Sequence, residues 1–177
     1  MIVEMGMAKV YLGIGSNDRP KENIQLAIKE LSESFGMIQI SPVYQNKAVG
    51  FKGEDFLNLV VTFNTDVSIK ELIKIIERIH ALSGRLRDSA KFSSRTLDID
   101  LLLYGATILN NGDIKVPRED ILNYSFVLKP LLDIAPNLIH PVTKKSIKAH
   151  WELMDSCPDE LLLILSLIHI SEPTRPY

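Results

Sequence analysis

The sequence GRLRDSAKFSSRTLDIDLLLY, residues 84–104, joins a basic segment to an apolar segment with a regular pattern. In the apolar half, apolar and acidic side chains alternate from Leu97 to Leu101, which predicts a β-strand over 95–104. The side chains expected on one face of this strand are those of Leu97, Ile99, Leu101 and Leu103. Asp98 and Asp100 would then share the other face, with their Cα atoms about 6.6 Å apart.

The two acids and the cations that precede them suggest a site that binds a metal ion and phosphate. Carboxylates on the same face of a strand can give oxygen ligands to a hard divalent cation. The segment before the strand carries one acid, Asp88, and four cations: Arg85, Arg87, Lys91 and Arg95. Acids that hold Mg²⁺ next to cations that hold phosphate predict a site for transfer from a nucleoside triphosphate. The spacing alone also allows a solvated strand face that follows a solvated loop.

Composition limits the class of protein. A chain of 177 residues with 46% hydrophobic content predicts one globular domain, over 8–165. The net charge of −2 gives no bulk field that would recruit nucleic acid or an anionic membrane as a partner. Cys157 is the only cysteine, which excludes a disulfide framework and fits a cytoplasmic location. We see no signal peptide and no apolar run of about 20 residues.

The order of predicted elements is β-α-β-β-α-β, a ferredoxin-like core within an α+β fold, with an added C-terminal segment. The predicted strands cover 10–14, 38–44, 56–63 and 95–104. One helix begins at Pro20 and ends at Gly36; the other follows the capping residues Ser68 and Glu71 and ends at Gly84. A turn at 110–113 and a short helix over 126–134 follow. Residues 166–177 fit none of these elements, and we interpret them as a non-native or disordered tail.

Three stretches carry a resemblance to a known family. The motif GRLR at 84–87, followed by SRTLDIDLLLYG at 94–105, resembles the signature of the 6-hydroxymethyl-7,8-dihydropterin pyrophosphokinases. LGIGSN at 12–17 and FVLKPLLDIAP at 126–136 are similar to two further motifs of that family. The resemblance implies an α/β sandwich with a ferredoxin-like core. It also implies an enzyme of folate biosynthesis that moves the β,γ-pyrophosphoryl group of ATP to the pterin hydroxymethyl oxygen and releases AMP.

The resemblance implies roles for particular residues. Asp98 and Asp100 would be catalytic and would bind Mg²⁺, while Arg85 and Arg95 would stabilise the transferred group. Contacts to ATP are implied for Arg85, Arg87, Lys91, Arg95, Leu101 and Arg118. Contacts to the pterin are implied for Asn46, Ala48, Val49, Phe56, Asn58, Phe92 and Phe126. Phe56 and Phe126 would sandwich the pterin and Asn58 would bind its edge; the competing interpretation makes the two rings core residues and Asn58 an exposed strand residue. A monomer is the family expectation.

The chain departs from the family pattern at several positions. Arg118 stands where the family usually has a histidine after Val-Pro, and Tyr124 stands where it usually has an arginine before F-V-L. The family's glutamate near the end of the second helix falls on His80, and its tryptophan in the basic loop falls on Phe92. A guanidinium at 118 could bind phosphate in place of an imidazole. Two alternatives therefore stay open: a diverged paralogue that acts on another pterin or nucleotide, and a non-catalytic module that binds a pterin or a nucleotide.

Overall fold

A computed structural model of the chain describes residues 6–46, 56–83, 97–154 and 162–163. The strands are β1 (Ala8–Ser16), β2 (Gln39–Ile40), β3 (Tyr44–Asn46), β4 (Phe56–Thr65), β5 (Asp98–Tyr104), β6 (Leu109–Asn110), β7 (Lys115–Val116) and β8 (Leu162–Leu163). The helices are α1 (Pro20–Phe35), α2 (Ile69–Leu82), α3 (Asp120–Asn123), α4 (Ser125–Ile134) and α5 (Ile147–Leu153).

The main sheet has the strand order β5-β1-β4-β3-β8, and β2 pairs with β4 beside this path. Every pairing between neighbouring strands in the sheet is antiparallel. Strands β6 and β7 form a separate two-stranded sheet across the predicted turn at 110–113. The protein is therefore a mixture of helices and antiparallel sheet, which confirms the predicted α+β class.

Helices cover both faces of the main sheet. The first core lies between one face and helices α1 and α2, and includes Leu12, Ile14, Leu59, Leu72 and Ile79. The second core lies between the opposite face and helices α3, α4 and α5, and includes Val60, Leu102, Ile121, Leu128 and Ile147. The second core covers only part of its face, and the uncovered part holds the candidate site.

Local signals in the sequence set the bounds of the two long helices. Pro20 occupies the first turn of α1, where its missing N–H leaves no hydrogen bond unmade. Gly36 ends that helix with a φ of +79°, a conformation that residues with a Cβ rarely adopt. The Ser68 hydroxyl accepts the backbone N–H of Glu71 at 3.2 Å and caps α2, as predicted. Gly84, the predicted end of α2, lies outside the described residues.

The predicted face of Leu103 is wrong. Leu97, Ile99 and Leu101 lie in the first core as expected, but Leu103 lies in the second core beside Leu102. The pairing of β5 with β1 explains this difference, because Leu12 pairs with Leu101 whereas Tyr11 pairs with Leu103. Leu102 is therefore an extra residue, a β-bulge that shifts the alternation of side chains by one position.

The strand predicted over 38–44 is two short strands, β2 and β3. Between them, Ser41 takes over the contact to the neighbouring strand: its backbone N–H donates to the Val60 carbonyl at 2.9 Å, and its hydroxyl accepts the Val60 N–H at 2.8 Å. The next residue, Pro42, has no N–H to donate to a strand partner. The sheet pairing is therefore interrupted and resumes at Tyr44.

Two further expectations concern the chain as a whole. The single domain at 8–165 stays a prediction, as does the tail at 166–177, because residues 164–177 lie outside the described part of the chain. Across 6–46, 56–83, 97–154 and 162–163, no helix is both long and apolar enough to cross a membrane.

Candidate active site

A pocket of about 730 Å³ opens on the uncovered part of the second face, a volume suited to a small-molecule ligand. Strands β1, β4 and β5 form its floor, and the segment from 118 to 127 forms one wall. The residues that line the pocket are Gly13, Ile14, Gly15, Asn46, Phe56, Asn58, Leu59, Val60, Asp98, Asp100, Leu102, Arg118, Asp120, Asn123, Tyr124, Phe126 and Val127.

Two glycines of β1 shape the floor. Gly15 pairs with Asn58 on one side and with Asp98 on the other, so the three residues form a row across three strands. Gly13 lies in the same way between Val60 and Asp100. Directly paired residues in neighbouring strands point to the same face, so each glycine leaves space between the side chains beside it. A Cβ added at Gly15 would lie 2.9 Å from Oδ1 of Asn58, which is too close.

Aromatic rings and amides line one part of the pocket. Phe56 and Phe126 are only partly buried, and both line the cavity rather than a closed core. The Tyr124 ring stacks on Phe126 with 5.0 Å between ring centroids and 25° between ring planes. The Asn58 side-chain amide donates to the side-chain oxygen of Asn46, which fixes both amides at the pocket surface. Flat aromatic faces beside fixed amides suit a planar heterocycle with donors and acceptors along its edge.

Charged side chains line another part. Asp98 and Asp100 lie on β5, facing the cavity and half-buried. Nε of Arg118 donates to Oδ2 of Asp120 at 3.0 Å, and Nη2 of Arg118 lies 3.7 Å from Oδ1 of Asp100. The backbone N–H of Arg118 donates to the Leu102 carbonyl at 2.9 Å, so this residue is attached to β5 itself. The side chain of Asp100 is 41% exposed, which leaves it accessible to an ion from solvent.

The charges in this part of the pocket perturb one another. Burial raises the pKa of Asp100; the Arg118 guanidinium opposes this effect, and the carboxylates of Asp98 and Asp120 add to it. Burial would lower the pKa of Arg118, but the attraction of Asp100 and Asp120 outweighs burial and raises it. Arg118 therefore stays positively charged, and a cation near Asp100 would favour the ionised carboxylate.

The structure brings together seven of the side chains predicted to form the site. Those that line the pocket are Asn46, Phe56, Asn58, Asp98, Asp100, Arg118 and Phe126. Leu101 does not line it: its side chain is 7% exposed in the first core, so a contact to ATP could come only from its backbone. The other predicted residues lie outside the described part of the chain: Ala48, Val49, Arg85, Arg87, Lys91, Phe92 and Arg95.

Sequence reasoning missed several lining residues. Asp120 and Asn123 lie in the short helix α3, where no motif marks them. Tyr124 stands out in the sequence only as a departure from the family pattern, although its ring extends the aromatic wall. Gly13 and Gly15 did have a signal, because both belong to the LGIGSN motif.

Comparison with solved structures identifies the fold. The crystal structure of Plasmodium falciparum HPPK-DHPS wild type with pterin and p-hydroxybenzoate matches with a TM-score of 0.66, 14% identity and coverage of 85% of this chain. A structure of HPPK-DHPS in complex with substrates matches with a TM-score of 0.67, 12% identity and coverage of 84%. These identities are low, so the likeness shows a shared fold alone. This chain spans 44% and 43% of those two solved chains, less than half of each.

Sequence comparison identifies the family. The 2-amino-4-hydroxy-6-hydroxymethyldihydropteridine pyrophosphokinase of Aquifex aeolicus (strain VF5) is 38% identical over 144 residues, which cover 80% of this chain and 89% of that protein. The Pseudomonas aeruginosa protein of the same name is 34% identical over 156 residues, covering 86% and 93%. Residues 11–136 match the model of the 7,8-dihydro-6-hydroxymethylpterin-pyrophosphokinase (HPPK) family. The chain therefore belongs to this family, a class of ATP-dependent diphosphokinases.

Proposed function

We propose that this protein transfers the β,γ-pyrophosphoryl group of ATP to the hydroxymethyl oxygen of 6-hydroxymethyl-7,8-dihydropterin, releasing AMP, as a step of folate biosynthesis. The strongest support is that one cavity has both an acidic surface and an aromatic surface. The carboxylates of Asp98 and Asp100 line the same cavity as the rings of Phe56 and Phe126. A cavity with both surfaces can hold a polyphosphate and a flat heterocycle side by side.

The pterin would bind between the aromatic rings. Phe56 and Phe126 would stack on its two faces, and the Asn58 amide, fixed by Asn46, would bind its polar edge. Phenylalanine at 56 provides the stacking surface of an aromatic ring without a hydroxyl. Contacts to the pterin from Ala48, Val49 and Phe92 stay predictions.

Mg²⁺ fits the carboxylates of the pocket. Among the described residues there is no group of three or more His, Cys, Asp or Glu side chains arranged to hold a metal. Mg²⁺ is commonly bound through one or two carboxylates together with phosphate oxygens and water, so Asp98 and Asp100 are a suitable donor set. The ion would neutralise charge on the phosphate oxygens. The two acids would therefore fix the position of the triphosphate relative to the pterin.

Transfer itself depends on positioning. The pterin hydroxyl oxygen forms a bond to the β-phosphorus, the bond from that phosphorus to the oxygen retained by AMP breaks with its electron pair on AMP, and the hydroxyl proton passes to solvent water. Arg118 would hold phosphate oxygens through charged N–H donors. Arg85, Arg87, Lys91 and Arg95 would add further positive charge, with Arg85 and Arg95 on the transferred group.

We also propose the ferredoxin-like arrangement for the core. The strand order β5-β1-β4-β3 and the two helices α1 and α2 on one face support it. A monomeric state and a cytoplasmic location stay predictions from the sequence.

The test is AMP formation from ATP and Mg²⁺, with and without the dihydropterin, followed by chromatography. The proposal expects AMP and pterin diphosphate in equal amounts, only when both substrates are present. The residues Arg118, Glu119 and Tyr124, where the resemblance leads us to expect others, motivate a second candidate: a paralogue that acts on another pterin or nucleotide. That candidate would give weak turnover with this pair of substrates and faster turnover with another pair. Binding of ATP and pterin without AMP release would instead identify a non-catalytic module.

A further inference from the structure

The guanidinium of Arg118 lies between two carboxylates that belong to different elements. Its Nε donates to Asp120, the first residue of α3, at 3.0 Å. Its Nη2 lies 3.7 Å from Asp100 on β5. The first contact has hydrogen-bond geometry, whereas the second is a looser ion pair. The two contacts therefore differ in how readily they can be exchanged.

The acidic side chains around the pocket stabilise a cation at the position of the Arg118 guanidinium. The described residues that line the pocket include three acids, Asp98, Asp100 and Asp120, and only one cation, Arg118. Like charges that lie close together and partly buried repel one another, so three carboxylates around one cavity are unfavourable without a cation. Among the described lining residues, Arg118 is the cation that offsets part of this repulsion.

Two hydrogen bonds would keep Arg118 in place if Asp100 bound a metal ion instead of the guanidinium. The Arg118 backbone is fixed to the Leu102 carbonyl of β5, and the hydrogen bond to Asp120 uses Nε of the side chain. The Nη atoms carry the remaining donors of the planar guanidinium, and these suit the oxygens of phosphate. If the Asp100 contact is given up, Asp120 still holds the guanidinium at the edge of the pocket.

We propose that Asp120 is a positioning residue for Arg118, holding the guanidinium so that its Nη donors exchange the Asp100 carboxylate for the phosphates of a bound nucleoside triphosphate. This inference rests on the proposed function, because it assigns Asp100 to the metal and the nucleotide to this part of the pocket. It assigns Asp120 a role through Arg118 rather than a contact with the nucleotide. The binding of the pterin, at the aromatic part of the pocket, should be independent of Asp120.

The test is a double-mutant cycle with Asp120→Asn and Arg118→Gln in the full-length protein. Asparagine in place of Asp120 keeps the size of the side chain and can still accept a hydrogen bond, but it removes the charge. The probe is the non-cleavable α,β-methylene analogue of ATP with Mg²⁺, and binding is measured by calorimetry. Asp113→Asn is the matched control, because Asp113 is exposed in the turn between β6 and β7 and does not line the pocket.

Asp120→Asn is expected to weaken binding of the analogue about three- to tenfold, the range for a half-exposed charged hydrogen bond. Asp113→Asn should bind like the parent protein. In the Arg118→Gln background, Asp120→Asn should have no further effect, because the residue it positions is absent. In steady-state assays the KM for ATP should rise while the KM for the pterin stays the same. The melting temperature of each variant shows whether the fold is intact.

Two results would overturn the inference. One is binding of the analogue by Asp120→Asn within twofold of the parent. The other is an equal loss of affinity with and without the Arg118 side chain, which would mean that Asp120 acts independently of Arg118. A parent protein that binds the analogue but forms no AMP would refute the proposed function instead, and the binding cycle would still decide the role of Asp120.

Discussion

The imidazole of His80 accepts the backbone N–H of Ile99, with 2.9 Å between Nε2 and the amide nitrogen. His80 lies in the last turn of α2, and Ile99 lies between the two acids of β5. The bond therefore joins the helix to the part of the strand that carries Asp98 and Asp100. His80 thus supports the backbone between the two carboxylates.

Replacement of His80 by alanine should loosen this part of β5. The Ile99 amide would lose its acceptor, and the free energy of unfolding should fall by about 1 kcal/mol, the usual net value of such a bond. Hydrogen exchange at the Ile99 amide, followed by NMR, should become faster. Turnover should fall as well, because the carboxylates would be held less firmly.

His80→Gln is the control for this prediction. The glutamine side-chain oxygen can reach a position close to that of Nε2 and accept the same N–H, so exchange at Ile99 should stay slow. Equal exchange rates in the alanine variant and the parent would show that the bond does not protect this amide.

Asp100→Asn should separate activity from stability. Loss of one of two proposed metal ligands should reduce turnover by about 100-fold or more. The free energy of unfolding at pH 7 should stay the same or rise, because the raised pKa of Asp100 means that its ionised form is disfavoured in the folded protein. Chromatography of AMP and denaturant titration measure the two effects.

The pH dependence has a defined sign. As the pH falls through the raised folded-state pKa of Asp100 towards its ordinary value of 3.8, the folded protein takes up this proton first and gains stability relative to the unfolded chain. The Asp100→Asn variant lacks this contribution, so the difference in free energy of unfolding between variant and parent should shift in favour of the variant as the pH rises through that window.

An Asp100→Asn variant that retains turnover within tenfold of the parent would contradict the metal role.

Gly15→Ala should weaken binding of the pterin. The new Cβ would lie 2.9 Å from Oδ1 of Asn58, so the amide would have to move from its pairing with Asn46. We expect an affinity about tenfold lower, from the loss of well-placed hydrogen bonds to a partly buried ligand. Calorimetric titration with the dihydropterin measures the change.

Gly13→Ala provides the comparison within the same strand. Its Cβ would meet the side chain of Leu102 at 3.5 Å, an ordinary contact. The loss of affinity should therefore be clearly smaller than for Gly15→Ala. Equal losses would mean that the effect comes from any methyl group on the pocket floor and not from the displacement of Asn58.

Two histidines of the C-terminal region should make stability depend on pH. Nδ1 of the buried His140 accepts the N–H groups of Val142 and Thr143, both at 3.2 Å, which requires an unprotonated nitrogen. Burial and the neighbouring His150 lower the pKa of His140. Burial, followed by the charge of Lys145, lowers the pKa of His150.

The sign of this effect depends on the lowered pKa values. Below the ordinary value of 6.5 the unfolded chain binds protons that the folded protein does not. The contribution of these two histidines to the free energy of unfolding should therefore be fully present above pH 6.5 and should be lost as the pH drops towards their folded-state pKa values. The slope should be at most about 1.4 kcal/mol per pH unit for each proton. Urea titrations between about pH 5 and 8, a range set by the titration of histidine, measure this slope. His140→Asn keeps an acceptor but cannot take a charge, so its slope should be smaller. An unchanged slope would exclude His140.

The regular parts of the fold were predictable because the physical signals are local. The alternation from Leu97 to Leu101 was sufficient to place Asp98 and Asp100 on the face opposite the first core. Pro20, Gly36 and Ser68 act within one helical turn, so the helix bounds that they imply were correct.

The remaining features depend on contacts between distant parts of the chain. The sequence Leu101-Leu102-Leu103 is apolar throughout and has no alternation, so the bulge at Leu102 leaves no mark in it. The approach of Arg118 and Asp120 to Asp100 depends on the path of the chain after β7, which no periodic pattern records. The resemblance implies a contact between Leu101 and ATP but does not say which of its atoms makes the contact; burial of Leu101 in the first core leaves only its backbone for it.

The bulge at Leu102 has a further consequence for how the protein behaves at high concentration. Among the described strands, β5 lies at one end of the sheet, where unpaired N–H and C=O groups could recruit a strand of another molecule. The bulge twists this edge, the His80 ring takes the N–H of Ile99, and the Leu102 carbonyl accepts the N–H of Arg118. The same local structure that supports the two carboxylates therefore also blunts an edge at which aggregation could begin.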